Sequence, residues 1–330
     1  MSSGFWVKLK KPIMVLAPMA NVTDAAFRRV IAKYGKPDVM WTEFVSADGL
    51  FLGNAEILKR DLMFSEEERP IVAQFFTARP DMMERAARLA VELGFDGVDI
   101  NMGCPDKSVE KQGAGAALMK NPKLAREVIR AAKVGVDGKI PVSVKTRVGF
   151  SKVELETWLP EILAENPAVV TVHARTRKEM SKVPARWEHV KRAVEIRNEL
   201  KSDTLIFGNG DVVDLDDARQ KVKETGADGI MLGRAIFGNP FLFALQGEGQ
   251  MADIGKKSTD ISIKEKLKVL VEHTKLFEEL LGEVKSFAIM KKHFKAYVNG
   301  FAGASELRVK LMETNNADEV GNVVEEYLKK

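Results

Sequence analysis

Short, apolar, β-branched runs alternate along the chain with stretches whose apolar residues recur at helical spacing. The runs are IMVLAPMA (13–20), VMWTEFVSA (39–47), IVAQFFT (71–77), GVDINMGC (97–104), VSVKTRVG (142–149), AVVTVHART (168–176), TLIFGNGDV (204–212) and ADGIMLGRA (227–235). Each is bounded by turn-forming residues and reads as a strand. Between them Asp24–Tyr34, Asp81–Leu93, Pro122–Val134, Leu155–Glu165, Trp187–Leu200 and Asp214–Thr225 carry the period of amphipathic helices, several opening on an Asp or Pro suited to a helix start. Eight strands alternating with helices predict an α/β protein built on a closed parallel TIM (β/α)8 barrel. An open doubly wound sheet would want a Gly-rich phosphate turn straight after its first strand, where this chain has Pro18-Met19-Ala20. The nearest approach to such a turn, GAGAAL at 113–118, ends in Leu and starts several residues after its strand, so it reads as a loop over the barrel mouth.

Beyond Phe241 the strand rhythm stops. Lys264–Leu281, Val284–Asn299, Ala304–Met312 and Ala317–Leu328 are helical in pattern. The expected organisation is a barrel domain over 1–245, a linker over 246–260 and an all-helical domain over 261–330. A length of 330 residues fits a barrel plus a small appendage. With 45% hydrophobic and 30% charged residues the chain reads as a globular protein. No run approaches the roughly 18 apolar residues of a membrane span, and the opening MSSGFWVKLKKP lacks a signal-peptide core, so a cytoplasmic protein with no membrane partner is expected. The single cysteine, Cys104, excludes an intrachain disulfide and agrees with a reducing compartment. A net charge of +4 permits a polyanionic partner without requiring one.

In a TIM barrel the chemistry sits at the C-terminal ends of the strands. Here those ends carry residues odd for a strand core: Pro18-Met19, Glu43, Gln74, Asn101 with Cys104, Lys145, His173 with Arg175, Asn209-Gly210-Asp211, and Gly233-Arg234. The glycines after strands 7 and 8 allow a phosphate to approach backbone N–H groups, with Arg234 to add charge-assisted hydrogen bonds. Asp211 must then turn its carboxylate away from the anion or onto a hydroxyl. Lys145 stands in an otherwise buried strand and must find an anionic partner or lose its proton. That partner is either a reduced flavin or a structural carboxylate such as Glu43. Gln74 can both donate and accept at a flavin's pyrimidine edge. Cys104, in a stiff Gly-Cys-Pro turn, has the ordinary pKa of a thiol that is mostly protonated at neutral pH and can serve as a general acid; as a nucleophile it would look to His173 for a base.

APM at 17–19, Gln74, NMGCP at 101–105, GAGAALMKNP at 113–122, VKTR at 144–147, HART at 173–176, GNGD at 208–211 and GR at 233–234 together resemble the tRNA-dihydrouridine synthases. The likeness continues into Lys291-Lys292-His293-Phe294-Lys295-Ala296-Tyr297. The resemblance implies FMN bound by Pro18, Met19, Ala20, Gln74, Lys145, His173, Asn209, Gly210, Asp211, Gly233 and Arg234, with NADPH as its reductant. It implies reduction of the C5–C6 bond of particular uridines in tRNA, Cys104 giving the proton to C5. Substrate contacts would fall to Asn101 and Arg175 at the mouth and to Lys291, Lys292 and Lys295 in the helical domain. His293, Phe294 and Tyr297, interleaved with those lysines, offer rings for stacking on bases. No metal is expected, and a monomer is. Two other readings share parts of this pattern: an FMN barrel acting on a free pyrimidine, of dihydroorotate dehydrogenase type, and a tRNA-binding protein without catalysis.

Overall fold

The computed structural model describes residues 4–53, 55–244 and 261–329. Eight parallel strands follow one another: β1 (Ile13–Leu16), β2 (Met40–Ser46), β3 (Ile71–Phe76), β4 (Gly97–Met102), β5 (Val142–Arg147), β6 (Val169–His173), β7 (Leu205–Asn209) and β8 (Gly229–Leu232). They pair in the order β1-β8-β7-β6-β5-β4-β3-β2. The ring closes between β1 and β2 through a bridge at Val15 and Val39, where Leu16 N donates to Val39 O (3.2 Å) and Asp38 N to Met14 O (2.9 Å). All eight expected strands form, and the fold is the expected TIM barrel. At the start of the chain Trp6 packs on Trp41 of β2 and Phe207 of β7, with ring centroids 5.9 and 5.6 Å away.

The helices following the strands begin where their capping chemistry places them. In α1 (Ala25–Gly35) the Asp24 carboxylate accepts from Phe27 N. After β2 come two short helices that the sequence pattern did not signal, α2 (Ala47–Leu52) and α3 (Ala55–Asp61). Then α4 (Pro80–Glu92) opens on a proline, α5 (Lys107–Lys111) on Asp106, and α6 (Pro122–Val136) on Asn121 and a proline. The series ends with α7 (Leu155–Leu163), α8 (Glu188–Glu199), and α9 (Leu215–Thr225), which closes on Gly226 in the left-handed conformation. The segment expected as a loop at 113–118 is mostly a 3-10 helix, Gly115–Lys120.

By packing, the chain forms two compact units that are not consecutive segments. The first holds Met1–Pro18, Asp38–Leu62 and Arg69–Gly233; the second holds Met19–Pro37, Met63–Glu68 and Arg234–Lys330. All eight strands lie in the first unit. The second contains α10 (Ile263–Leu281), α11 (Met290–Tyr297), α12 (Ala304–Glu313) and α13 (Ala317–Leu328), and also α1, which the strand-helix rhythm had grouped with the barrel. The expected linker at 246–260 lies outside the described residues.

In the second unit Phe27 of α1 stacks on His273 of α10 and meets His293 of α11 edge-on, with centroids 4.8 and 4.9 Å away. Arg28 and Glu68, both wholly buried, pair at 2.6 Å, and Arg28 also donates to Thr23 O and Met63 O. Along α11 the buried positions are Met290, His293, Phe294 and Tyr297, one helical face. His293, Phe294 and Tyr297 therefore form core, not the stacking platforms that their interleaving with lysines suggested. Lys292 and Lys295 are exposed on the other face and Lys291 is half-buried. Among the described residues no helix is long and apolar enough to cross a membrane.

Candidate active site

Strand register sorts the polar residues of the barrel into tiers. Gln74 pairs with Asp99, and Asp99 with Ser143. One step nearer the C-terminal rim Asn101 pairs with Lys145, and Lys145 with Thr171. At the rim Arg147 pairs with His173, and His173 with Asn209. Residues two apart on a strand share a face, so Asp99 and Asn101 line up, as do Ser143, Lys145 and Arg147.

Lys145 donates to Asn209 Oδ1 at 3.2 Å, and Asn209 is itself held by donating to Met231 O at 2.8 Å. Asp99 and Cys104 favour its charged form, and Arg147 opposes it. Enclosure by the strands, with repulsion from Arg147, brings its pKa down to about 8. Desolvating an ammonium is costly, and an anionic ligand offsets that cost. This donor set therefore fits an anionic group such as the pyrimidine edge of a reduced flavin.

At the ends of β6 and β7, Asp211 points to Arg175, with which it pairs, and also accepts from Ala185 N at 2.8 Å. Arg175, nearly buried, further donates to Val183 O at 2.6 Å and lies 3.2 Å from His173 Nε2. Its guanidinium is thus a brace of the rim. Between Asn209 and Asp211, Gly210 has φ +128°, and a side chain there would meet His173 Cδ2 at 3.1 Å and Ala185 Cβ at 2.9 Å. Gly210 O also accepts from Trp187 Nε1 at 3.1 Å, and the missing side chain is what lets His173 and Ala185 pack against this turn. Pro18 is buried and Gly233 half-buried in the same unit, whereas Met19, Ala20, Arg234, Lys291, Lys292 and Lys295 belong to the second unit.

Cys104 is held from both sides. Asn101 Oδ1 accepts from Gly103 N (3.1 Å) and Cys104 N (2.9 Å), and Ala116 N donates to Cys104 O (3.0 Å). Gly115, at φ +59°, allows that approach, since a Cβ there would stand 3.0 Å from Cys104 O and 2.8 Å from Val109. Apolar neighbours Phe76, Val109 and Ala114 surround the cysteine. Burial pushes the thiol pKa up, which keeps Cys104 protonated at neutral pH.

Asp99 and Arg147 were missed by sequence reasoning. Asp99 is fully buried and accepts from Gln74 Nε2 and Ser143 Oγ, each at 2.5 Å. Gln74 Oε1 in turn accepts from Asn101 Nδ2 at 3.0 Å, so both amides are largely committed within the protein. Arg147 donates to Gly103 O (2.8 Å) and Thr176 O (3.2 Å), tying β5 to the Cys104 turn and to the loop after β6. Arg177 pairs with Glu110 of α5 and approaches the Phe150 ring (5.5 Å), over which Lys120 also sits (3.9 Å). The alternation DIN and VSVKTR, with a polar side chain at every second position, was the available signal for Asp99 and Arg147.

Fold and site define a (β/α)8-barrel enzyme with a protonated thiol and a desolvated lysine at the C-terminal ends of neighbouring strands. Residues 15–330 match the family described as Dihydrouridine synthase (Dus), and the chain belongs to that family. It is 40% identical over 333 residues to the "Probable tRNA-dihydrouridine synthase 2" of Bacillus subtilis (strain 168), covering 100% of this chain and 98% of that protein. A second similar protein, the "Probable tRNA-dihydrouridine synthase" of Staphylococcus aureus (strain MRSA252), is 37% identical over 330 residues, 99% of this chain and 96% of that one. Among solved structures, histamine dehydrogenase from Rhizobium sp. 4-9 superposes with a TM-score of 0.54 at 14% identity, over 78% of this chain and 48% of that chain. The 6-hydroxypseudooxynicotine amine oxidase of Pseudomonas geniculata N1 gives 0.52 at 15% identity, over 82% and 53%. The chain spans about half the length of those two proteins, and the likeness is one of fold.

Proposed function

We propose that this protein is a tRNA-dihydrouridine synthase that reduces the C5–C6 double bond of uridine in tRNA, with FMN as cofactor and NADPH as the reductant. The observation that carries the reading is the meeting, at one barrel mouth, of the buried neutral thiol of Cys104 and the desolvated ammonium of Lys145. Lys145, with Gln74, His173, Asn209 and Gly210, would hold the flavin, the lysine supplying positive charge to its anionic reduced form. Bound there, the flavin supplies the hydride that C6 of the uracil receives.

The chain's own part is the second hydrogen. Saturating C5 needs a proton at the moment the ring gains negative charge, and a thiol kept protonated by burial has one to give. Cys104 transfers it to C5, and the thiolate left behind, near Lys145 and Arg147, regains a proton from solvent. A uridine stacked in tRNA cannot reach a barrel mouth, so the base must be turned out of its stack. The helical segment beyond residue 261, with Lys291, Lys292 and Lys295, would grip the phosphates of the tRNA. In this reading the protein is a cytoplasmic monomer without a metal.

The test is to purify the protein, record its visible spectrum, and assay dihydrouridine by nucleoside mass spectrometry after incubation with NADPH and unmodified tRNA. A yellow protein that forms dihydrouridine is expected, and Cys104→Ala should keep the colour and the tRNA affinity while losing about 100-fold or more in turnover, the usual worth of a positioned acid. A yellow protein that oxidises NADPH and leaves tRNA unchanged would favour a free-pyrimidine reductase. A colourless one would remove the flavin on which the reading stands.

A further inference from the structure

We propose that Asp99 is a positioning residue for this reaction: through Gln74 and then Asn101, its carboxylate fixes the turn that carries Cys104. The inference rests on Cys104 being the proton donor, as read above. The chain of contacts runs Ser143 Oγ to Asp99 Oδ1, Gln74 Nε2 to Asp99 Oδ2, Asn101 Nδ2 to Gln74 Oε1, and Gly103 N and Cys104 N to Asn101 Oδ1. Asp99, Gln74, Asn101 and Ser143 are all buried.

The direction of that chain is forced from its two ends. A carboxylate only accepts, and the backbone N–H groups of the Cys104 turn only donate. Between them stand two amides, each with a donor and an acceptor end, so a single orientation in series satisfies every contact. Turning either amide over sets nitrogen against N–H or oxygen against oxygen, and buried polar groups left unmet cost about 1–3 kcal/mol each. Asp99 is thus the fixed pole from which the orientation of Gln74, then of Asn101, then of the two N–H groups at Gly103 and Cys104 is set. Its carboxylate bonds Gln74 and Ser143, not the thiol. Its influence on chemistry runs through the direction in which the turn presents the Cys104 proton.

Cys104 is the only cysteine of the chain, so its alkylation by iodoacetamide reports the turn directly, on full-length flavin-loaded protein and without tRNA. Asp99→Leu, close in shape but without an acceptor, should raise the alkylation rate by about fivefold or more, and lower kcat for dihydrouridine about tenfold with KM for tRNA nearly unchanged. Asp99→Asn keeps an oxygen for Gln74 Nε2 and presents its nitrogen to Ser143 Oγ, which can accept. It should therefore stay within about twofold of wild type in both readings. If Asp99→Leu does not fold, Gln74→Met cuts the next link without changing any charge and, compared with wild type at equal flavin occupancy read by absorbance, should raise alkylation in the same way. An unchanged alkylation rate in Asp99→Leu or Gln74→Met overturns the proposal. So does an Asp99→Asn variant as impaired as Asp99→Leu, which would mean that Asp99 acts by its charge on Lys145. A wild-type protein that forms no dihydrouridine would defeat the proposed function while leaving the alkylation comparison intact.

Discussion

A lysine inside a barrel states a need for an anion, and at Lys145 that need can be measured. Its free-state pKa of about 8 comes from burial and from Arg147, offset in part by Asp99 and Cys104. An anionic ligand favours the charged form, so binding raises that pKa and takes up a proton where the free lysine is partly neutral. FMN affinity should then be steady near pH 7 and fall as pH rises through about 8 to 9, where the free lysine has lost its proton. Lys145→Met should weaken binding by about tenfold or more at pH 7 and abolish the fall, as flavin fluorescence titration across pH would record. A variant that retains the same pH dependence would assign it to another group. The types of residue at this site were plain in the sequence, because Lys145, Gln74 and Asn101 are strange in strands. Their partners were not. Which atom of Gln74 faces Asp99 depends on a neighbouring strand, and strand neighbours are a property of the closed ring.

At the scale of the element, the strands were legible because each is a short β-branched run, and the long helices because their apolar stripes span three turns or more. The helices missed, α2, α3 and α5, have six, seven and five residues, too few for a period to show. On α11 the fault lay in reading the segment as a string of basic and aromatic residues, when helical periodicity puts His293, Phe294 and Tyr297 on the buried side. That burial has a consequence in acid. His273 and His293 lie 4.6 Å apart between Phe27, Phe237 and Tyr297, and among the described residues neither ring nitrogen of either finds a hydrogen-bond partner. Burial holds His273 well below its ordinary range and, with repulsion from Lys292, brings His293 down to about 3. Between that value and the ordinary histidine pKa of about 6.5 the unfolded chain binds protons that the folded one refuses, so stability falls as pH falls through this window. The slope is about 1.4 kcal/mol per pH unit for each histidine. Urea titrations at pH 7 and pH 5 should show the loss, and His293→Phe, free of the titration and of the unmet nitrogens, should show less of it.

For the whole molecule, the partition into two units crosses the order of the chain: the residues that complete the helical unit include 19–37 and 63–68, far from 234–330. A fragment of residues 261–330 lacks Phe27, whose ring covers both buried histidines, and Tyr34 and Lys33, which both bond Glu272. Deleting one such buried ring alone costs about 3–5 kcal/mol. The fragment should therefore show no cooperative thermal unfolding by circular dichroism, and a sharp transition would mean that the C-terminal helices hold together unaided. The same division bears on synthesis at the ribosome. There α1 emerges about 230 residues before α10, and at about 5–20 residues per second its apolar face waits on the order of 10 to 50 seconds for the helices that cover it. Throughout that interval Phe27 is a hydrophobic handle on a nascent chain, and the rate of translation sets how long a chaperone has to hold it.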